Sequence, residues 1–263
     1  AYAVVSYQTA WLKYYYPVEF MAALMTSVID NPGKVSEYIY SCRQMGIKIL
    51  PPDINKGEGS FSVDGGNIRY GLAAIKSIGK PVIESIIRER KAGGEFSNLK
   101  DFIERLSGKE VNKRTIESFI KSGAFDSLGG TRKQFMVVYV QILDQVNRER
   151  KYSMTGQLSL FDIVGDDQKA EFDIPLPNVG EYEKETKLAF EKEVLGVYLS
   201  GHPLEDYEEK WKKNISRTTL DFQLDDDTGR TKVHDGAKEI VGGMIKNKTI
   251  KYTKTNKVMA FIT

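Results

Sequence analysis

The sequence predicts an α+β protein that is mainly α-helical. Apolar residues recur every three or four positions through most of the 263 residues, which is the period of an amphipathic helix. Two patterns differ from it: an alternating stretch with a glycine turn at residues 61–70, and two short apolar runs after residue 239. The first is typical of a β-hairpin and the second of strands. We therefore expect short helices, one small hairpin and a C-terminal pair of strands.

The composition excludes several classes of protein. A chain of 263 residues, 41% of them hydrophobic, suits two or three small domains. No apolar run approaches the roughly 20 residues of a membrane helix, and the start shows no signal-peptide pattern, so we expect a cytoplasmic protein with no membrane partner. The single cysteine, Cys42, excludes an intramolecular disulfide and a cysteine-rich zinc site. With only two histidines in addition, we expect neither a metal site nor a cofactor in this chain.

The charge is unevenly distributed along the chain. The net charge is only +2, which is not typical of a nucleic-acid-binding protein. However, residues 246–257 contain five lysines and no acidic residue, while residues 171–211 contain eleven acidic residues against four basic ones. The sequence therefore predicts a local basic stripe rather than a basic protein.

The first third of the chain contains three predicted helices and the hairpin. Helical periodicity covers residues 4–15 and 17–28, with Pro17 at a first helical turn. A third helix covers residues 35–45 and ends at Gly46. A short strand over residues 47–50, stopped by two prolines, then leads to the hairpin.

The remaining elements are shorter, apart from one helix. We expect a helix that begins at Thr131 and ends near Arg148, an aperiodic segment from Glu149 to about Gly180, and strands at residues 240–245 and 258–262. The other predicted helices lie at residues 72–78, 82–87, 99–106 (capped by Ser97), 116–120 (capped by Asn112), 184–195 and 204–211.

The segment 71–87, with the sequence GLAAIKSIGKPVIESII, resembles a helix-hairpin-helix motif. In this motif a glycine-containing hairpin lets backbone N–H groups approach a DNA phosphate, and the second helix presents its positive N-terminal end. The candidate contacts are Lys76, Ser77, Gly79 and Lys80; Ser77 stands where the motif usually has its first glycine. The competing interpretation is an ordinary helix turn that ends at a glycine.

A second and looser copy of the motif covers residues 112–125. Lys113 and Arg114 are its candidate phosphate contacts. Two hairpins in tandem follow the backbone of a duplex better than one, because contacts to both strands fix the register. The pair therefore favours contact with DNA over a structural role for either copy.

The aperiodic segment contains a short cluster of exposed apolar residues. Gln157, Leu158, Ser159, Leu160 and Phe161 have neither a helical nor a strand period, and an apolar cluster in a polar segment is typical of a docking peptide. The five residues resemble the pentapeptide with which bacterial proteins bind the sliding clamp. The alternative is that the three apolar side chains pack back on this domain.

Further runs resemble one family, the bacterial DNA polymerase III alpha subunits of the DnaE type. The first, AYAVVSYQTAWLK at residues 1–13, resembles the end of the fingers. The others lie at residues 16–24, 49–55, 71–79, 121–126 and 195–204. Because the terminal strands follow the hairpins, the resemblance is to the DnaE type and not to the related Gram-positive type.

The resemblance implies a fragment that begins and ends within domains. According to this resemblance, the chain would contain the end of the fingers, a clamp-binding domain with tandem helix-hairpin-helix motifs, a linker with a helical connector, and the start of a truncated OB-fold. These four parts would cover residues 1–60, 61–163, 164–236 and 237–263.

The resemblance also implies partners and an expectation about catalysis. The partners would be double-stranded DNA, the beta sliding clamp, other replicase subunits and, through a complete OB-fold, single-stranded template. The family comprises DNA-directed DNA polymerases, which are nucleotidyltransferases, but its palm carboxylates, which bind two Mg²⁺ ions, would precede Ala1. We therefore expect no catalytic residue here and no activity of the chain alone. Asp225–Asp227 is interpreted as a solvated loop.

A different class of protein remains open from the sequence. An independent DNA-binding repair or scaffold protein that associates with the clamp would share the hairpins and the pentapeptide. The coding sequence upstream of Ala1 would distinguish the two, since only a polymerase would have an aspartate-bearing palm there.

Overall fold

The computed structural model of the protein describes residues 2–106, 108, 111–154, 174–224, 229–245 and 247–263. Their contacts divide the chain into two units, Ala1–Ser200 and Gly201–Thr263. None of the helices in these described residues is long and apolar enough to cross a bilayer.

The first unit contains eight helices and three strands among its described residues. The helices are α1 (Tyr2–Tyr15), α2 (Pro17–Ser27), α3 (Pro32–Gln44), α4 (Lys80–Gly93), α5 (Leu99–Leu106), α6 (Lys113–Ser122), α7 (Arg132–Met154) and α8 (Lys184–Leu195). The strands are β1 (Ile49–Leu50), β2 (Ser62–Asp64) and β3 (Asn67–Arg69). Single 3₁₀ turns lie at Leu72–Ala74 and Asp126–Leu128. The mainly α-helical α+β class is confirmed.

The hairpin is confirmed and belongs to a slightly larger sheet. Strands β2 and β3 pair antiparallel, with Val63 opposite Ile68. The turn between them is made by Gly65 and Gly66, whose φ angles of 57° and 78° suit glycine. Strand β1 adds to the other edge of β3 in parallel, which gives the order β1-β3-β2. The parallel pairing joins the segment that follows α3 to the hairpin.

A chain of aromatic rings joins α5, α6 and α7. Phe102 lies at the centre, with its ring centroid 5.9 Å from that of Phe119 and 4.9 Å from that of Phe125. Phe125 continues the contact to Phe135 of α7 at 6.3 Å. All four side chains are buried, and edge-to-face packing of this kind adds about 0.5–1.5 kcal/mol per pair beyond the burial of area. These contacts hold α6, which lines the candidate site, against α5 and α7.

A buried charged cluster fastens α8 to α6 and α7. Arg132, at the start of α7, lies 3.3 Å from Oε1 of Glu191 on α8 and 2.9 Å from Oδ2 of Asp126. The other carboxylate oxygen of Glu191 accepts hydrogen bonds from the backbone N–H groups of Leu199 and Ser200, both at 2.9 Å. Burial opposes the charge of Arg132, but the two carboxylates outweigh it and raise its pKa. Glu191 is only 1% exposed, so every bond it makes replaces one to water.

Several predicted helix ends and caps in this unit are wrong, among them the end of α4, which lies at Gly93 and not at Ile87. Helix α5 is capped by Asn98, whose side chain accepts from the N–H of Asp101 at 2.9 Å; Ser97 instead donates to the Asp101 carboxylate. The predicted helix at residues 72–78 is a single 3₁₀ turn, because the backbone leaves helical geometry at Ile75. Helix α7 continues to Met154, six residues past the expected end, although the apolar period stops near Arg148.

The second unit contains one helix and a two-stranded sheet among its described residues. The helix is α9 (Glu208–Asn214), preceded by a 3₁₀ turn at Glu205–Tyr207 and followed by another at Thr219–Phe222. The strands are β4 (Lys248–Tyr252) and β5 (Val258–Ile262), which pair antiparallel over five residues each.

The prediction of a strand at residues 240–245 is wrong. The turn closes with the N–H of Thr253 donating to the carbonyl of Lys257, so residues 248–252 are the ones placed opposite β5. The Ile240–Gly242 segment instead bonds to the residues around α9: the carbonyl of Ile240 accepts from the N–H of Ser216, and that of Gly242 from the Trp211 indole. The described part of the lysine-rich stripe, residues 247–257, consequently lies on this hairpin, with Lys248 and Lys251 in β4.

We predict that Glu191→Ala destabilises the protein strongly. It would leave Arg132 with one fewer partner in a buried place and two amide N–H groups without an acceptor, which costs about 3–5 kcal/mol of unfolding free energy. Urea unfolding measures this value. The exposed pair Lys34–Glu37 offers a matched control, since Glu37→Ala removes one carboxylate from water and should leave the midpoint unchanged. Equal effects of the two substitutions would contradict the role of Glu191.

We predict that the thiol of Cys42 is unreactive in the native protein at pH 8. The side chain is fully buried on α3, and burial raises the pKa of the thiol to about 11, so the reactive thiolate is scarce and inaccessible. A chromogenic disulfide reagent should label Cys42 rapidly in 8 M urea and slowly in buffer. Rapid labelling of the native chain would contradict the packing of α3.

Candidate nucleic-acid interface

The N-terminal end of α4 presents backbone donors. Gly79 is the N-cap residue, and among the described residues no side-chain hydrogen bond caps the helix. Lys80 and Pro81 form its first turn, and both fit there, since proline has no N–H to satisfy and its φ is already helical. The positive end of the helix dipole therefore points out from this turn, an arrangement suited to a phosphate group.

Ser77 has a left-handed backbone. Its φ is 70°, a conformation that costs a residue with a Cβ about 1–2 kcal/mol relative to glycine. The first glycine of the motif is replaced here by a serine that nevertheless keeps the glycine-like geometry of the hairpin. The side chain is exposed, so its hydroxyl faces solvent beside the end of α4.

Lys76 is directed at α8. Its N–H donates to the carbonyl of Val194 at 2.8 Å, and its ammonium donates to the carbonyl of Glu193 at 2.9 Å. The hydroxyl of Tyr70 donates to the next carbonyl, that of Leu195, at 3.1 Å. Lys76 and Tyr70 thus satisfy three of the last carbonyl groups of α8, which have no partner within the helix.

A cleft brings the first hairpin together with α6 and the end of α8. Three of its lining residues are among those predicted from the sequence, namely Lys76, Ser77 and Arg114. The other lining residues are Glu117, Ser118, Lys121, Glu193 and Val194. Lys80, at the start of α4, is exposed; Lys113 is exposed and lies 3.5 Å from Asp144 of α7. Of the predicted contacts, the structure therefore brings three into one cleft and directs Lys113 towards α7.

The second copy of the motif, as delimited by the sequence, contains one helix and not two. Residues 113–122 form α6, whose first turn is capped by Asn112 through the N–H of Thr115 at 3.0 Å, as predicted. Gly123 then ends the helix with a φ of 81°, and a Cβ there would meet the Arg132 guanidinium at 2.2 Å. The space beside Gly123 is therefore occupied by the Arg132 side chain.

Two carboxylates in the cleft share one lysine. The ammonium of Lys121 lies 2.8 Å from Oε1 of Glu117 and 2.8 Å from Oε1 of Glu193. Burial opposes its charge, but the two hydrogen-bonded carboxylates raise the pKa of Lys121 overall. The sequence analysis missed these three residues. The spacing of Glu117 and Lys121, four apart on a helix, indicates the first pair, whereas nothing local indicates Glu193.

Two predicted features lie outside the described residues. These are the pentapeptide Gln157–Phe161 and the acidic run Asp225–Asp227. Within the part of the chain that is described, no group of histidine, cysteine and carboxylate side chains is arranged to hold a metal ion.

Comparison with known proteins identifies relatives of this arrangement. The helix-hairpin-helix motif family matches residues 46–135, a range that runs from the end of α3 to the start of α7. The chain is 42% identical over 203 residues to the DNA polymerase III subunit alpha of Mycobacterium leprae, covering 77% of this chain and 17% of that protein. It is 42% identical over 217 residues to that of Vibrio cholerae, with coverage of 82% and 19%. It is 40% identical over 248 residues to that of Escherichia coli K12, with coverage of 93% and 21%.

The chain spans about a fifth of the length of these relatives. The similarity nevertheless extends through both units of the structure, well beyond the helix-hairpin-helix residues. The chain therefore belongs to the family of DNA polymerase III alpha subunits, of which it corresponds to one segment.

Proposed function

We propose that this chain binds the backbone of duplex DNA for a replicative polymerase and tethers that polymerase to the beta sliding clamp. The observation that carries the first part is the uncapped N-terminus of α4 beside Ser77, in a segment that matches the helix-hairpin-helix family. Backbone N–H groups at such an end bind a phosphate whatever the base sequence.

The proposed phosphate contacts are Ser77, Gly79 and Lys80 at the first hairpin, with Lys76 beside them. Lys113 and Arg114 of α6 complete the set. Exposure supports Lys80 and Arg114 most, since no ion pair is found for either in the described part of the chain. Phosphate contacts alone predict binding without regard to sequence.

The proposed clamp contact is Gln157–Phe161. Its support is the resemblance to the clamp-binding pentapeptide and its place in the chain between α7 and α8. Leu160 and Phe161 would enter an apolar pocket of the clamp, each contributing about 1.5–3 kcal/mol. The entropic cost of fixing the pentapeptide in its bound conformation offsets part of that gain. Modest affinity suffices when DNA held by the hairpins raises the effective concentration of the clamp.

The remaining proposals concern the whole polymerase. We assign to the chain no metal and no cofactor, and we assign the Mg²⁺ of nucleotidyl transfer to the rest of the full-length protein. The β4–β5 hairpin is proposed as the start of an OB-fold that, when complete, binds single-stranded template. The other replicase subunits are further partners, and the site of action is the bacterial cytoplasm. The relatives favour these proposals over an independent clamp-associated repair or scaffold protein, the second candidate.

We predict that duplex binding depends steeply on salt and on the two exposed cations. Each phosphate contact contributes about −0.9 to the slope of log affinity against log salt, so about four contacts give −3 to −4. Replacing Lys80 and Arg114 together with methionine should flatten the slope by about two units and weaken all duplex sequences alike. Fluorescence anisotropy over a salt series measures both values.

A double variant of Lys34 and Lys48, both outside the hairpins, removes the same charge and is the control for that experiment. It should leave the slope unchanged. An equal change of slope in both double variants, or strong preference for one of two unrelated duplexes, would mean that DNA contact lies elsewhere.

We predict that Leu160→Ala with Phe161→Ala abolishes binding to a bacterial sliding clamp. The two side chains supply the apolar anchors, and the substitution should leave the melting temperature unchanged. Calorimetric titration of the clamp measures the loss, and Ile163→Ala with Val164→Ala, just outside the pentapeptide, should bind as the wild type does. A large fall in melting temperature would instead indicate that Leu160 and Phe161 belong to the core.

A further inference from the structure

The cleft at the hairpin of residues 71–87 contains negative charge that opposes the binding of a phosphate. Glu117 of α6 and Glu193 of α8 line it together with Ser77 and Arg114. Two carboxylates there would repel a phosphate that approaches the hairpin, since like charges within a Debye length of about 10 Å are not fully screened at 0.1 M salt. A DNA interface at this place therefore requires that their negative charge be reduced.

The end of α8 adds to the negative charge. The C-terminal carbonyl groups of a helix carry the negative end of its dipole. In α8 these groups point at the hairpin, where Lys76 and Tyr70 donate to the carbonyls of Glu193, Val194 and Leu195. Helix α8 lies outside residues 46–135, so it is an addition to the part of the chain that matches the helix-hairpin-helix family.

Lys121 is placed to offset part of the charge of both carboxylates. Its ammonium lies 2.8 Å from each of Glu117 and Glu193, and 5.5 Å from the ring centroid of Phe190 on α8. The side chain is only 15% exposed. Lys121 therefore makes its two strongest contacts within the protein.

We propose that the C-terminal turn of α8 is part of the DNA interface, and that Lys121 is a positioning residue within it. Lys121 holds Glu117 and Glu193 in a compensated cluster beside Ser77 and Arg114 and does not itself contact DNA. The inference rests on the proposed binding of duplex DNA and extends it to a helix outside the motif and to a lysine within it that was not among the predicted phosphate contacts.

The test is a cycle of charge variants in the 263-residue chain, with duplex affinity measured by fluorescence anisotropy at low salt. Lys121→Met exposes the DNA to two uncompensated carboxylates and should weaken binding about three- to fivefold. Adding Glu117→Gln and Glu193→Gln to it should restore wild-type affinity or exceed it. Lys34→Met removes an equal charge from α3 and should change affinity less than about twofold.

Two outcomes would overturn the role of Lys121 while duplex binding by the wild type persists. One is unchanged affinity in Lys121→Met. The other is a triple variant that stays as weak as Lys121→Met, which would mean that Lys121 contacts phosphate directly. If the wild-type chain has no affinity for duplex DNA, the proposed function is wrong, and this inference is wrong with it.

Two further variants distinguish an effect on DNA binding from a loss of folding. Glu117→Gln with Glu193→Gln, in which Lys121 is retained, should bind duplex DNA more tightly than the wild type because two negative charges leave the cleft. Lys121→Arg keeps the charge and should bind as the wild type does. Weaker binding by the glutamine pair would also overturn the proposal.

Discussion

The buried ion pair between Arg132 and Glu191 is the contact on which the arrangement of the first unit depends. The two residues are 59 positions apart, and their contact fixes α8 against the start of α7 and the turn after α6. Because Glu191 also binds the N–H groups of Leu199 and Ser200, it fixes the course of the chain after α8. A buried carboxylate cannot relax into water, so these positions are set together.

The candidate interface follows from that constraint. With α8 held in place, its last carbonyl groups meet Lys76 and Tyr70, and this contact supports the hairpin that contains Ser77. A left-handed serine is unfavourable by itself and needs a surrounding structure that determines it. The contact between Lys76 and α8, one residue before Ser77, is such a support. The geometry of the motif is thus maintained by a helix from outside the motif.

The charge of the interface is balanced rather than strongly basic. Lys121 is engaged with two carboxylates within the protein, and the net charge of the chain is only +2. Under the proposed function, an interface of this kind would bind DNA weakly by itself and release it readily. A second attachment, such as the proposed one to the clamp, would then raise the local concentration.

The sequence by itself determined the local structure, because its signals lie within a few residues of one another. Helices begin at Pro17 and after the N-cap Asn112, as expected. Two helices are followed by a glycine with a positive φ, Gly46 and Gly123, and Gly65 lies in the turn of the β2–β3 hairpin. The predictions of local structure that were wrong concern patterns that a contact elsewhere outweighs. The apolar run at 240–245 is an example. The turn at Thr253 places residues 248–252 opposite β5, and the run instead bonds to the residues around α9.

Only the tertiary structure decided which predicted residues act together. Lys76, Ser77 and Arg114 meet in a cleft, whereas Lys113 lies beside Asp144, and the pattern of charges along the chain does not distinguish these outcomes. Glu193 reaches Lys121 across 72 residues, and Glu191 reaches Arg132 across 59. Contacts of this range depend on how helices pack and on which charges become buried together, and no periodicity within one helix specifies them.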